Sequence, residues 1–287
     1  MRGLALSGGG IKAAAHIGAL KAFEENGIKF DCVSGASSGS IIATMYALGY
    51  SSDEMWKMFK KYCKKIKYAE WKQVFKLVIG LLCTRRLIVD GLNSGKAIEK
   101  IIDEICEESN VNSINQIKMP LMISMVDLQK GTVYIATSKE VRANLLDNTR
   151  FITNIPIATA VRASCSFPVV FSPCEYNGIQ LIDGGTRENL PWKGLKDIGA
   201  DEVFGVSFDT ILEKNQCCKN IVEVAARAME LQGRELSMYE KAGIDYLINI
   251  NLKKVALLDS TQINMLYKMG YEETKKQLKM LENVGKF

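Results

Sequence analysis

The clearest chemical signal in the chain is Gly35-Ala36-Ser37-Ser38-Gly39. This G-x-S-x-G pattern sets a serine between two glycines, which a sharp strand-to-helix turn needs because neighbouring backbone crowds the serine. A helix starting at such a turn aims unpaired amide N–H groups at the serine and favours negative charge there. Ser37 is therefore suited to attack an acyl carbon, provided a base takes its proton. The single histidine, His16, precedes Ser37. In α/β-hydrolases the histidine comes last in chain order, so that triad cannot be built here. His16 lies inside a helical stretch and reads as a packed residue. Asp183 is the best remaining base. It follows a short apolar strand, Gln180-Leu181-Ile182, and precedes Gly184-Gly185, which let the backbone turn and another segment approach. A carboxylate is a weak base for an alcohol, so it must stand within hydrogen-bond reach of the serine oxygen.

Acyl transfer also needs donors for the developing oxyanion, and losing one typically costs about 10²–10³-fold in turnover. Ser7-Gly8-Gly9-Gly10-Ile11-Lys12 offers amides free of side chains, with a cation beside them. Gly8, Gly9, Gly10, Ile11 and Lys12 are the candidate oxyanion residues. Read through Ala13, the same loop fits the dinucleotide fingerprint G-x-G-x-x-A, with Asp31 about 20 residues further on. That acid belongs at the end of the second strand, whereas Asp31 opens it. Cofactor binding is the weaker alternative, and a catalytically silent regulatory relative of the fold is another.

Hydrophobic periodicity supplies the elements that must position these residues. Residues 3–7 read as a buried strand running into the glycines, and 12–25 as a helix stopped by Asn26-Gly27. Residues 30–33 read as a second strand ending in the serine turn, and 41–48 as the helix after it. Residues 52–83 suggest two helices rich in lysine and aromatics, and 94–108 a further helix. Strands are expected at 121–126, 132–137, 180–182, 203–208 and 246–250, and helices near 155–162, 221–239 and 261–282. This alternation predicts a parallel sheet with helices packed on it. With no repeat, linker or low-complexity tract, residues 1–287 are expected to form one domain, residues 207–287 packing on the same body.

Composition bounds the rest. At 287 residues, 47% hydrophobic and 24% charged, the chain is an ordinary globular protein. Its eight cysteines are scattered, with no C-x-x-C and one histidine, so neither a zinc set nor a disulfide framework is expected. Reduced thiols suit a cytoplasmic protein. The apolar run from Val74 contains Lys76 and ends at Cys83, well short of the ~20 residues of a membrane span. Lys57, Lys60, Lys61, Lys64, Lys65 and Lys67, interleaved with Trp56, Phe59, Ile66 and Trp71, suggest peripheral contact of residues 55–83 with an anionic membrane, such as the inner membrane surface. A helix with a core-facing apolar side and a solvated lysine side explains the same pattern equally well. No nucleic-acid motif accompanies the patch.

The N-terminal G-G-G-x-K loop, the G-x-S-x-G turn and the later Asp183-Gly184-Gly185, in this order, resemble the patatin-like phospholipases. So do Ala163-Ser164-Cys165-Ser166-Phe167-Pro168, similar to that family's A-S-x-x-x-P stretch, Asp127-Leu128 with Gly131, and Asn189-Leu190-Pro191. The resemblance covers roughly residues 2–206, and the last eighty residues carry no matching motif. It implies a three-layer α/β/α sandwich with a mainly parallel central sheet, no cofactor or metal, and a Ser-Asp dyad that hydrolyses carboxylic esters of phospholipids or lysophospholipids through an acyl-enzyme. Ser37 matches the family's nucleophile and Asp183 its base. Gly8, Gly9 and Gly10 match the oxyanion loop, and Lys12 its basic position. Ala13 departs from the glycine often found there.

Overall fold

The computed structural model describes residues 1–67, 69–79, 89–141, 148–210, 217–218, 221–252, 255 and 258–283. Four parallel strands make its centre: β1 (Arg2–Leu6), β2 (Cys32–Ala36), β8 (Glu202–Thr210) and β9 (Tyr246–Leu252). On the far side of β2 lies β3 (Leu121–Asp127), parallel to it, then β4 (Val133–Thr137), antiparallel to β3, and β5 (Thr149–Ile152). The order is β5-β4-β3-β2-β1-β8-β9. A hairpin of β6 (Cys174–Tyr176) and β7 (Ile179–Asp183) joins by pairing β7 antiparallel to the end of β3. The sheet is mixed but mostly parallel, and helices flank it.

Alternation along β1 divides the core. Leu4 and Leu6 point into the larger apolar cluster, and Ala5 into a smaller one on the opposite face. The larger cluster is covered by α1 (Ala13–Glu25), α2 (Ser38–Ala47), α5 (Lys96–Glu108), α6 (Ile157–Ser164) and α9 (Ile263–Asn283). α5 fits because Ile98, Ile101, Ile102 and Ile105 fall on one face and are all buried. α1 and α9 cross closely. A Cβ added to Gly18 would lie 2.0 Å from the Tyr267 carbonyl oxygen, and one added to Gly270 2.0 Å from that of Ala15. The smaller cluster is capped by α7 (Lys193–Asp197), with Leu195 against Cys32, Met122 and Val203.

Three expectations change. The second strand is Cys32–Ala36, not residues 30–33. Small residues suit a central strand here because α2 packs straight onto it; Ser34 and Gly35 pair with both β1 and β3, and Ala36 with β3. The strands β5 and β6 and helix α7 were not anticipated. They run four, three and five residues, too short for periodicity to register. Finally, Asp183 ends an antiparallel strand, not a parallel one. Of the two lysine-rich helices, α3 (Ser52–Tyr62) and α4 (Trp71–Ile79) are in place, and residues 80–83 lie outside the described residues.

Candidate active site

Ser37 is the single residue between β2 and α2, with φ 49° and ψ −128°. That backbone is costly for any residue bearing a side chain and persists only where the surroundings impose it. The glycines around it show how they do so. A Cβ on Gly35 would sit 2.5 Å from the Gly39 carbonyl oxygen, and one on Gly39 2.4 Å from that of Leu6. The turn is therefore pressed between its own helix and the end of β1. The Ser37 carbonyl accepts from the Ser40 amide (2.9 Å) and hydroxyl (2.6 Å), which starts α2. The Ser37 amide donates to the Ser164 hydroxyl at 2.9 Å.

Register brings Asp183 to the serine. On β3, Ser124 pairs with Ala36 of β2, and the next residue, Met125, pairs with Asp183 of β7. β7 takes up the edge of β3 where β2 leaves it, so the carboxylate arrives beside the turn. The segment after α6 fastens both residues: the Ser164 hydroxyl holds the Ser37 amide, and the Ser166 carbonyl accepts from the Asp183 amide at 3.1 Å. Ser166 is locked in turn by the Arg162 guanidinium at 2.7 Å. This is the physical role of the A-S-x-x-x-P-like stretch, which its sequence did not disclose.

Asp183 is 2% exposed. Its Oδ1 accepts from the Gly185 amide at 2.8 Å, while Oδ2 is buried without a hydrogen-bond partner among the described residues. Burial pushes the carboxyl up to about 7, against the pull of the Ser37 hydroxyl and the Gly185 amide. The Ser37 hydroxyl favours the ionised form of this carboxyl, which puts the serine side chain on the same side of the turn as Asp183. Cys165 completes the wall. Its thiol is driven up by burial and by the Asp183 charge, so it stays protonated and inert.

The glycine loop divides into two roles. The Gly8 amide donates to the Asn189 carbonyl (3.2 Å) and side-chain Oδ1 (3.0 Å), and the Lys12 amide to the Gly9 carbonyl (3.2 Å). The amides of Gly9, Gly10 and Ile11 donate to no acceptor among the described residues, as expected at the start of the 3-10 turn Gly10–Lys12. Gly10, at φ 60°, takes the left-handed conformation that turns the loop over. Burial lowers the Lys12 ammonium, and the charge of Glu230 opposes this. His16 is fully buried, and its Nε2 sits 2.7 Å from the Ser7 carbonyl oxygen, to which it donates. Burial lowers it to about 4, so it is neutral, and its ring packs on Phe208 at 4.4 Å. Its hydrogen bond steadies the residue before the glycines.

The family model described as patatin-like phospholipase matches residues 4–196. The chain belongs to that family. Among this patatin-like chain's relatives is an uncharacterized protein, YqhO, of Bacillus subtilis, 31% identical over 64% of this chain and 63% of its own. Lysophospholipase NTE1 of Candida albicans is 26% identical over 73% of this chain. The chain thus spans somewhat under two thirds of the first relative, and the second match covers 13% of the fungal protein. VipD of Legionella pneumophila shares the fold at a TM-score of 0.53 and 18% identity, over 97% of this chain and 67% of that one. The patatin-like assignment agrees with the fate of Asp31. It precedes β2, at the opposite end of the strands from the glycine loop, and its carboxylate accepts from the Arg2 amide at 2.7 Å. A ribose-binding acid does not fit there.

Sequence reasoning missed Asn189 as a contact of the loop and Arg162 as a clamp. Only Asn189 had left a signal, in its place before Leu190-Pro191.

Proposed function

We propose that the chain is a serine lipid acyl hydrolase acting through Ser37 and Asp183. The observation that carries this reading is the strained Ser37 turn beside a buried carboxylate whose Oδ2 has no hydrogen-bond partner among the described residues. Family membership supports lipid hydrolase activity, and the name of the fungal relatives favours a phospholipid or lysophospholipid ester as substrate. Asp183 Oδ2 takes the Ser37 hydroxyl proton as the serine oxygen bonds to the ester carbonyl carbon. The Gly9, Gly10 and Ile11 amides receive the oxyanion, and the starts of α2 and of the Gly10–Lys12 turn favour charge there. The proton then passes to the departing alcohol oxygen. Water attacks the acyl-enzyme with Asp183 again as base, and Ser37 recovers its proton.

Exposed lysines at 57, 60, 61, 64, 65 and 67 favour docking on an anionic membrane face, consistent with a cytoplasmic, peripheral enzyme. Among the described residues no helix is long and apolar enough to cross a membrane. Within α3 the apolar residues turn inward: Met55 is buried and Trp56 stacks on Tyr267 at 4.5 Å. The greasy contact falls instead to α4, where Trp71, Val74, Phe75 and Ile79 are all exposed. The test is labelling with a fluorophosphonate and turnover of defined lysophospholipids. Ser37→Ala is expected to abolish both, at least about 10⁴-fold in turnover; retained esterase activity in that variant refutes the reading.

A further inference from the structure

We infer that Glu240 is a positioning residue that holds the glycine loop against Ser37 through Asn189. Glu240 is the last residue of α8 (Ile221–Glu240), a place where a carboxylate opposes the helix dipole. It is nonetheless 9% exposed. Two main-chain donors compensate: its carboxylate accepts from the Asn189 amide at 2.7 Å and the Leu190 amide at 3.3 Å. The Trp192 indole, bonded to the Glu240 carbonyl at 2.6 Å, fixes this helix end separately.

What the bracket holds is the joint between the two halves of the site. Asn189 accepts the Gly8 amide on both its carbonyl and its Oδ1. A Cβ on Gly8 would lie 2.6 Å from that Oδ1 and 2.9 Å from the Ser37 Cβ, and one on Gly185 would lie 2.8 Å from the same Oδ1. The side chain of Asn189 is thus wedged between the loop and the Asp183 motif. Among side chains, only an ionised carboxylate presents two oxygens to two successive amides without offering a donor back. Burial raises Glu240 to about 7; the Asn189 and Leu190 amides and Lys193 favour its charge, and Glu188 opposes it. The inference rests on the glycine loop being the oxyanion site.

Two readouts test it. In Glu240→Ala, hydrogen exchange of residues 7–12 is expected to quicken about 10-fold. On a soluble short-chain ester, kcat is expected to fall about 10- to 100-fold with KM within about two-fold, since displaced donors fail the transition state first. Glu240→Gln, which presents a donor to one amide, is expected to fall between. Trp192→Phe loosens the same helix end without touching the carboxylate, and is expected to lower Tm while sparing kcat. Unchanged exchange at 7–12 in Glu240→Ala overturns the inference, as does an equal kcat loss in Trp192→Phe at equal loss of Tm. Ser37→Ala with intact activity sinks the underlying reading instead, and the exchange measurement stands apart from it.

Discussion

Around Ser37 backbone meets backbone, whereas along α4 side chains meet solvent. The cradle is built from Gly8, Gly35, Gly39 and Gly184, each so close to a neighbour that one added carbon would collide. α4 is built from Trp71, at 73% exposure, and Phe75, at 58%, with Lys72 and Lys76 between and beside them. For the lipid hydrolase proposed above, the contrast separates two demands. Stabilising a transition state needs groups that cannot move, and small residues obtain this by letting main chains touch. Seizing an interface needs apolar area that folding has left uncovered. The two regions are nonetheless wired together: Glu70, just before α4, donates to the Leu92 carbonyl at 2.8 Å, and Leu92 donates to the Val169 carbonyl at 3.3 Å. Val169 lies five residues beyond Ser164, which holds the serine turn.

The largest effect belongs to the rigid region. Asp183→Asn keeps the shape and an acceptor for the Gly185 amide, but removes the proposed base, so kcat is expected to fall about 10⁴-fold. Because burial holds the Asp183 carboxyl near 7, wild-type kcat/KM is expected to rise with pH through about 7, a limb that the variant's residual activity should lack. Stability runs the other way. The folded carboxyl binds its proton more tightly than the unfolded one, so its stabilising contribution is complete below its ordinary range near 4 and is lost as pH rises through about 7. Asp183→Asn should therefore melt several degrees above wild type at pH 8, and the gap should close by pH 4–5. A variant that is inactive and no more stable at pH 8 would show that the carboxylate is not strained by burial.

A smaller effect compares two glycines. Gly39→Ala drives a methyl into the Leu6 and Ser7 carbonyl oxygens, 2.4 and 2.6 Å away. It is expected to cost about 1–3 kcal/mol in stability and to reduce kcat by roughly 10-fold or more as the turn shifts. Gly233, inside α8, has open space around its missing side chain. There the same substitution is expected to add about 0.5–1 kcal/mol, with turnover unchanged. Thermal melts and ester kinetics of the two variants check both; a harmless Gly39→Ala would mean the turn is looser than its contacts imply.

How far the sequence disclosed this arrangement follows from the range of the forces involved. The glycine loop and the Ser37 turn are local: strand, small residues and helix are contiguous, so pattern and geometry coincide. The boundary of β2 was misplaced because Ser34-Gly35-Ala36 has turn-like composition, and only packing of α2 makes it a strand. Asp183 could be chosen from its neighbours, but its approach along β3 depends on an antiparallel hairpin whose first strand spans three residues, Cys174–Tyr176. From sequence the apolar residues of α3 fitted an interface and a core-facing side equally well; in the fold Met55 is buried and Trp56 packs against the core, because α9 brings Tyr267 onto it. Glu240 is one acid among many on a long helix. Only the folded chain shows that it reaches Asn189.

The smallest effect on chemistry, and the one that isolates the exposed region, is on α4. Trp71, Val74, Phe75 and Ile79 fall at i, i+3, i+4 and i+8, one stripe of a helix, and they face water at a cost that folding has not relieved. Lysines 60, 61, 64 and 65 stand exposed on the preceding turns, so an anionic bilayer would meet charge and apolar surface together. Burying one aromatic at the interface contributes about 1.5 kcal/mol or more, roughly ten-fold in binding. Trp71→Ser with Phe75→Ser is therefore expected to weaken sedimentation with phosphatidylserine vesicles by about 10-fold or more, and turnover of vesicle-borne lipid with it. Kinetics on a soluble short-chain ester should stay within about two-fold, because neither residue touches the cradle. Equal losses on both substrates would tie α4 to the geometry of Ser37, through Leu92 and Val169, and erase the division of labour between the two regions.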